Sequence, residues 1–304
     1  MHFSSVALFL YRQKRGWPVR QTQESDKVAV KIATNLRETA LNGMPRMSPS
    51  VMRLMAKLAR FDVDWREIST VIEGDPILCG QILQVVNSAE FGLRSTVSKI
   101  SHAVTLLGMS RLRKISLGMT VTKLFSRSKM ATSWSSMRFN GHSVAVAAMT
   151  EILADFVPVE HSDSAFVAGL LHDTGKLAIA ATLRDQYEEI LRLWSGSDRS
   201  MQDCEREILD CDHAEISGLI VARWELPAFL QRAVHDHHQP REMDLSCLVQ
   251  QADEFVRYLG ILVEPADLRP LPEYQLSLPG YELPQTQILE RFRIELDELN
   301  KMFA

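Results

Sequence analysis

The stretch Leu170-Leu171-His172-Asp173-Thr174-Gly175-Lys176 decides how this chain is read. An apolar lead, Ala165–Leu171, has helical spacing and runs into an adjacent His-Asp pair. Neighbouring residues on a helix point about 100° apart, so His172 can grip one metal ion while Asp173 reaches toward a second. Lys176 follows one turn later, where a side chain meets its i−3 and i−4 neighbours. A cation there can hold a phosphate or neutralise Asp173.

Outward from this pair, further potential ligands recur through the second half of the chain: His142, His213, His237, His238 and Asp253. With His172 and Asp173 they make a set of imidazoles and carboxylates without thiolate. That chemistry suits borderline divalent transition metals, here Fe, Mn, Zn or Ni, with two ions in one cluster and no organic cofactor. His213 follows Asp212 at a helix start, where Glu215 completes a capping box. A metal cluster in this place would polarise a phosphoryl oxygen and activate a water, so no Ser, Cys or Thr nucleophile is needed. Lys176 and Asp173 are therefore the candidate catalytic residues. Taken singly, each residue also has an ordinary reading: His142 as a core histidine, Asp253 as a solvated acid. One shared site explains the ordered set better than independent coincidences do.

The rest of the chain reads as helix. Val51, Leu54, Met55 and Leu58 lie on one helical face, opened by Ser48-Pro49. Asp64 with Glu67 marks the next start, and Asp75-Pro76 another, followed by a segment that is apolar nearly all round. Val144–Ala148 and Leu219–Val221 look strand-like in isolation but sit inside longer 3.6-residue patterns. The expected fold class is all-α. Asn87-Ser88 reads as a cap or turn at a buried helix end, Leu226-Pro227 as a helix stop, and the methionines as core filler. Residues 1–42 form a lead-in. The body spans 43–262, divided near Ser126–Ser136 into a helical subdomain (43–125) and a core (136–262). A proline-rich linker with a final amphipathic helix, Gln285–Phe303, occupies 264–304, its apolar face carrying Ile288, Phe292, Leu296 and Leu299.

The chain has 304 residues and a formal net charge of −4, a balance that does not mark a dedicated nucleic-acid binder. The charge is unevenly spread. Residues 91–150 hold no acid but carry Arg94, Lys99, Arg111, Arg113, Lys114, Lys123, Arg127, Lys129 and Arg138; from Glu242 onward twelve acids face five bases. Two surfaces that face each other account for this; recruitment of an anionic partner is the sharper reading. Beyond Phe91 at the start of the acid-free stretch, aromatics are limited to Phe125, Trp134 and Phe139, so nucleic acid is not expected. The apolar run Val6–Tyr11 is too short to span a bilayer, and its basic residues follow it, the wrong order for a signal peptide. Cys79, Cys204, Cys211 and Cys247 show no paired spacing and read as reduced, mostly buried thiols of a cytoplasmic protein.

The order His142 … His172-Asp173 … Asp253 resembles the HD superfamily of metal-dependent phosphohydrolases. More narrowly, residues 43–262 resemble the HDOD (HD-related output domain) family. The likeness is carried by Met44-Pro45 … Ser48-Pro49-Ser50-Val51, Asp75-Pro76-Ile77-Leu78, Val86-Asn87-Ser88-Ala89-Glu90-Phe91-Gly92, Ile100–Gly108, Ala168–Asp173, Asp212-His213-Ala214-Glu215 and Arg223-Trp224-Glu225-Leu226-Pro227. That resemblance implies a helical subdomain packed on an HD-like core, and a bacterial signal-transduction output module acting through a protein partner. A metal-dependent phosphohydrolase acting on a nucleotide or phosphodiester is the alternative. The seven ligand positions and Lys176 also match the HD-GYP relatives. The pattern departs where those relatives carry a glutamate and this chain has Arg138, and again at Gln239. The Gly-Tyr-Pro signature is absent from 239–252. These departures argue against a third metal and against cyclic dinucleotide specificity.

Overall fold

Our computed structural model describes residues 36–43, 64–88, 96–103, 129–265 and 276–303, with scattered positions between 52 and 57 and between 105 and 116. Among the described residues every regular element is a helix apart from one isolated bridge, Leu278 with Tyr281. The lead-in run Val6–Tyr11, most of the 48–58 helix and the turn at Gly92 lie outside the described residues.

The first named helices are α1 (Trp65–Glu73) and α2 (Pro76–Val86). Asp64 caps α1 by accepting the Arg66 amide at 2.9 Å. Glu67 does not close the expected capping box; it turns to Lys57. Asn87 at the end of α2 fills the capping role read from sequence. Its amide donates to the Leu83 and Val97 carbonyls at 2.8 Å each, and its Oδ1 accepts the Val97 amide at 2.7 Å. A polar side chain can close a helix end this way because it replaces backbone partners the helix lacks.

The core is built on α3 (Ser136–Phe156), against which α4 (Ala165–Leu171), α10 (Leu245–Tyr258) and α11 (Gln285–Phe303) pack. Helix α3 is buried from Val144 through Thr150, so the strand-like apolar run is a helix surrounded by protein. Then come α5 (Thr174–Thr182), α6 (Arg184–Ser195), α7 (Met201–Leu209), α8 (His213–Arg223) and α9 (Ala228–His235). Helix α8 contacts both α5 and α9, α9 contacts α10, and α4 packs against α3, α9 and α10.

Two glycines set how closely these helices approach. A Cβ on Gly169 of α4 would lie 2.7 Å from Ala147 Cα of α3. One on Gly175 of α5 would lie 2.1 Å from the His213 carbonyl oxygen of α8. Real Cβ atoms do not tolerate such contacts, so both helix pairs need a bare backbone to meet. Beside Gly175, its amide donates to Ser217 Oγ at 2.7 Å, and that hydroxyl donates to the His213 carbonyl at 2.7 Å.

The basic and acidic regions do face each other. Arg111 pairs with Glu298 at 2.9 Å, and Lys114 with Glu151 at 2.7 Å and with Glu295, tying the 100–116 region to α3 and α11. Ile288, Phe292 and Leu299 of α11 are buried as its pattern required. The cysteines are all free; Cys204 and Cys211 are buried, Cys79 and Cys247 only partly. No helix among the described residues is long and apolar enough to cross a membrane.

Candidate metal centre

The elements deliver the candidate ligands to one point. His142 comes from the middle of α3 and Asp253 from α10. His172 and Asp173 occupy the break between α4 and α5, so the pair straddles a helix junction. His213 opens α8, where Asp212 accepts the Glu215 amide at 2.9 Å. Glu215 itself turns away from the capping box to pair with Arg37. His237 and His238 lie in the turn that follows α9. His142, His172, Asp173, His213, His237 and Asp253 are all buried, and His238 is partly so.

Four of the five imidazoles are aimed from behind. His142 Nδ1 donates to the Ile261 carbonyl at 2.8 Å, His172 Nδ1 to that of Gly169 at 2.8 Å, and His237 Nδ1 to that of Val234 at 2.7 Å. A carbonyl only accepts, so the proton is fixed on Nδ1 and the Nε2 lone pair faces inward. His213 is held instead by a carboxylate, Glu205 Oε2, at 2.6 Å from its Nδ1. Outer partners of this kind set ring orientation and basicity in metal-binding histidines.

The inward-facing atoms form two groups: His142, His172 and Asp173 in one, His213, His237 and His238 in the other. Asp173 joins them. Its Oδ2 lies 3.3 Å from His172 Nε2 and 3.6 Å from His142 Nε2, while its Oδ1 lies 3.2 Å from His213 Nε2. Asp253 Oδ1 adds to the first group, 3.1 Å from His142 Nε2. The Nε2 atoms of His142, His172 and His237, Asp173 Oδ1 and Asp253 Oδ1 make no directed hydrogen bond within the protein. Leaving a buried polar atom unsatisfied costs about 1–3 kcal/mol. Five such atoms converging from different elements fit divalent cations, which would take those lone pairs directly. The donor set is all nitrogen and oxygen, as borderline transition metals prefer.

The electrostatics suit this. Burial and the neighbouring His172 and His213 lower the His237 pKa to about 3, and burial lowers that of His238 as well, so both rings are neutral at pH 7. His213 is the exception: burial opposes its charge, but Glu205 and Asp173 outweigh it and raise the pKa to about 10, so an ion bound there has to displace a proton. His213 Nε2 and His238 Nε2 lie 2.8 Å apart, so one of them must donate; these opposite shifts assign the proton to His213. Asp173 and Asp253 stay ionised. Burial raises both, but His172 and Lys176 more than compensate at Asp173, and His142 and Arg257 at Asp253.

Lys176 is where i+3 spacing put it, 2.9 Å from Asp173 Oδ2, and it also pairs with Glu264 Oε1 at 3.0 Å. Glu264 and Glu205 are partners that sequence reasoning missed, and Arg257, 3.3 Å from Glu264 Oε2, is a third. Each left a faint sign: Glu264 ends the apolar run Ile261–Val263, and Glu205 sits on the buried face of α7 with Met201 and Leu209. Arg138, the residue at which the sequence departs from the HD-GYP resemblance, is turned to the backbone. It donates to the Val263 and Ser133 carbonyls at 3.0 and 2.8 Å.

The family description of the HDOD domain matches residues 44–240. The chain belongs to the HDOD family. The match takes in every candidate histidine ligand and Asp173, and stops before Asp253 and Glu264. The fold is similar to that of an HDOD domain protein of unknown function from Geobacter sulfurreducens, at 21% identity and a TM-score of 0.69 over 89% of this chain and 99% of that one. It is also similar to a candidate phosphohydrolase from Shewanella amazonensis SB2B, at 20% identity and a TM-score of 0.63 over 88% and 98%. A candidate signal-transduction protein from Marinobacter aquaeolei VT8 shares it at 17% identity and a TM-score of 0.69, over 86% of this chain and 58% of that one. At these identities the likeness is one of fold. In sequence, an uncharacterised protein of Treponema pallidum (strain Nichols) is 23% identical over 224 residues, 72% of this chain; the chain spans 41% of that protein's length.

Proposed function

We propose that this HDOD chain is a cytoplasmic signal-transduction output module that acts through a protein partner, and that its HD core holds two divalent transition-metal ions as a buried centre. One observation carries this reading. The ligand set is enclosed, and Lys176, the group that would bind a substrate phosphate, is already paired with both Asp173 and Glu264. A centre so enclosed serves to hold α3, α4, α8, α9 and α10 in one arrangement, because metal-binding free energy is available to the fold. His142, His172, Asp173 and Asp253 would hold one ion; His213, His237, His238 and Asp173 the other.

The second reading, a phosphohydrolase acting on a nucleotide or phosphodiester, draws on the bridging place of Asp173 between two histidine groups. A metal pair there would supply Lewis-acid polarisation of a phosphoryl oxygen. In that reading Asp173 orients the centre and Lys176 must leave Glu264 to meet the substrate. Hydrolysis of bis(p-nitrophenyl) phosphate by the protein loaded with Mn(II) or Fe(II) separates the two. The output-module reading expects no turnover above the free metal. Turnover that His172→Ala abolishes would replace it with the enzyme.

A further inference from the structure

Lys176 and Glu264 stand beside the ligand set, and their geometry bears on what that set can bind. Asp173 Oδ2 faces the bare Nε2 atoms of His172 at 3.3 Å and His142 at 3.6 Å, and its one donor partner among the three is the Lys176 ammonium at 2.9 Å. An ammonium and a divalent cation seek the same carboxylate lone pairs, so Lys176 opposes any ion bound between those two rings. Glu264 gives the ammonium a second seat at 3.0 Å. That seat is firmly held. Arg257 pairs with the other Glu264 oxygen at 3.3 Å. The short connection 261–264 also lends its Ile261 carbonyl to His142 and its Val263 carbonyl to Arg138.

We propose that Lys176 is a built-in competitor for the metal at Asp173, and that Glu264 is a positioning residue that sets metal affinity by sharing the Lys176 ammonium with Asp173. This rests on the metal-binding reading above. Removing Lys176 frees Asp173 Oδ2 and subtracts a positive charge from the ion's surroundings. Removing the Glu264 charge returns the ammonium wholly to Asp173 and subtracts a negative one. The two substitutions therefore shift affinity in opposite directions. An ordinary structural ion pair behaves differently: breaking it from either side loosens the same helices and shifts affinity the same way.

The test is a titration of the purified full chain with Mn(II), and anaerobically with Fe(II), in competition with a fluorescent chelator, alongside a thermal melt of each variant. Lys176→Met is expected to bind about tenfold tighter or more, and Glu264→Gln about tenfold weaker or more, as one buried unit charge at this range warrants. The double variant should return toward wild type. Losing one partner of a buried pair can unfold a protein. If Lys176→Met does not fold, Glu264→Gln is compared with the double variant, and the expected result is recovery of about tenfold in affinity on removing the lysine. Shifts of the same sign, or no recovery, overturn the proposal and leave the metal reading standing. A wild-type protein that binds neither ion overturns both.

Discussion

Gly175 shows how much one residue decides at this site. Its missing side chain lets α5 lie against the first turn of α8, which is what brings His213 within 3.2 Å of Asp173. Gly175→Ala is expected to push α8 away from α5, destabilise the protein by about 1–3 kcal/mol or more, and lower metal content with it. Denaturant melts and metal analysis of the variant check both; a stable variant with full metal would show that the close approach is dispensable. Cys211 offers a test of burial. Burial raises its thiol pKa to about 11, with Arg37 offsetting only part of the rise. At pH 8 about one molecule in a thousand carries the thiolate that alkylation needs. Iodoacetamide should therefore label Cys79 and Cys247 before Cys211, which should react fast only after unfolding. The histidines, Asp173 and Lys176 were legible in the sequence because their spacing is local or their residue type is rare. Glu264 was not, since its partner Lys176 lies 88 positions away and nothing local marks the meeting.

Among the elements, α11 was legible to its ends, because a 3.6-residue apolar stripe between a proline-rich linker and polar flanks has few other readings. The strand-like segments resolved into α3 and α8 for the same reason: their periodicity extended beyond the apolar run. The caps were half legible. Asp64 and Asp212 accept their helices' amides as expected, while Glu67 and Glu215 spend their charges on Lys57 and Arg37, which only the tertiary fold brings near. Helix α11 is part of the core rather than a detachable tail. Phe292 is 2% exposed and meets Phe255 of α10 edge-on at 6.3 Å. Phe292→Ala is expected to cost about 3–5 kcal/mol, read as a shift in the urea midpoint. A shift near zero would mean that α11 leaves the core at little cost.

Over the whole molecule, charge and metal ligands tell one story of closure. The acid-free region and the acid-rich C-terminal region pair with each other through Arg111, Lys114, Glu295 and Glu298. The family match ends at residue 240, yet the site is completed beyond it by Asp253, Arg257 and Glu264. Residue types announced the centre; its enclosure, which favours an output module over an open enzyme, depends on how seven separated segments meet and could not be read from spacing. The central claim is that the inward-facing lone pairs hold metal. It is tested most directly by metal content per chain, on protein purified without chelators or oxygen, in wild type and in His172→Ala. The two ligand groups joined by Asp173 predict two ions per wild-type chain, with loss in the variant. Near-zero metal in a folded wild-type protein would contradict the account.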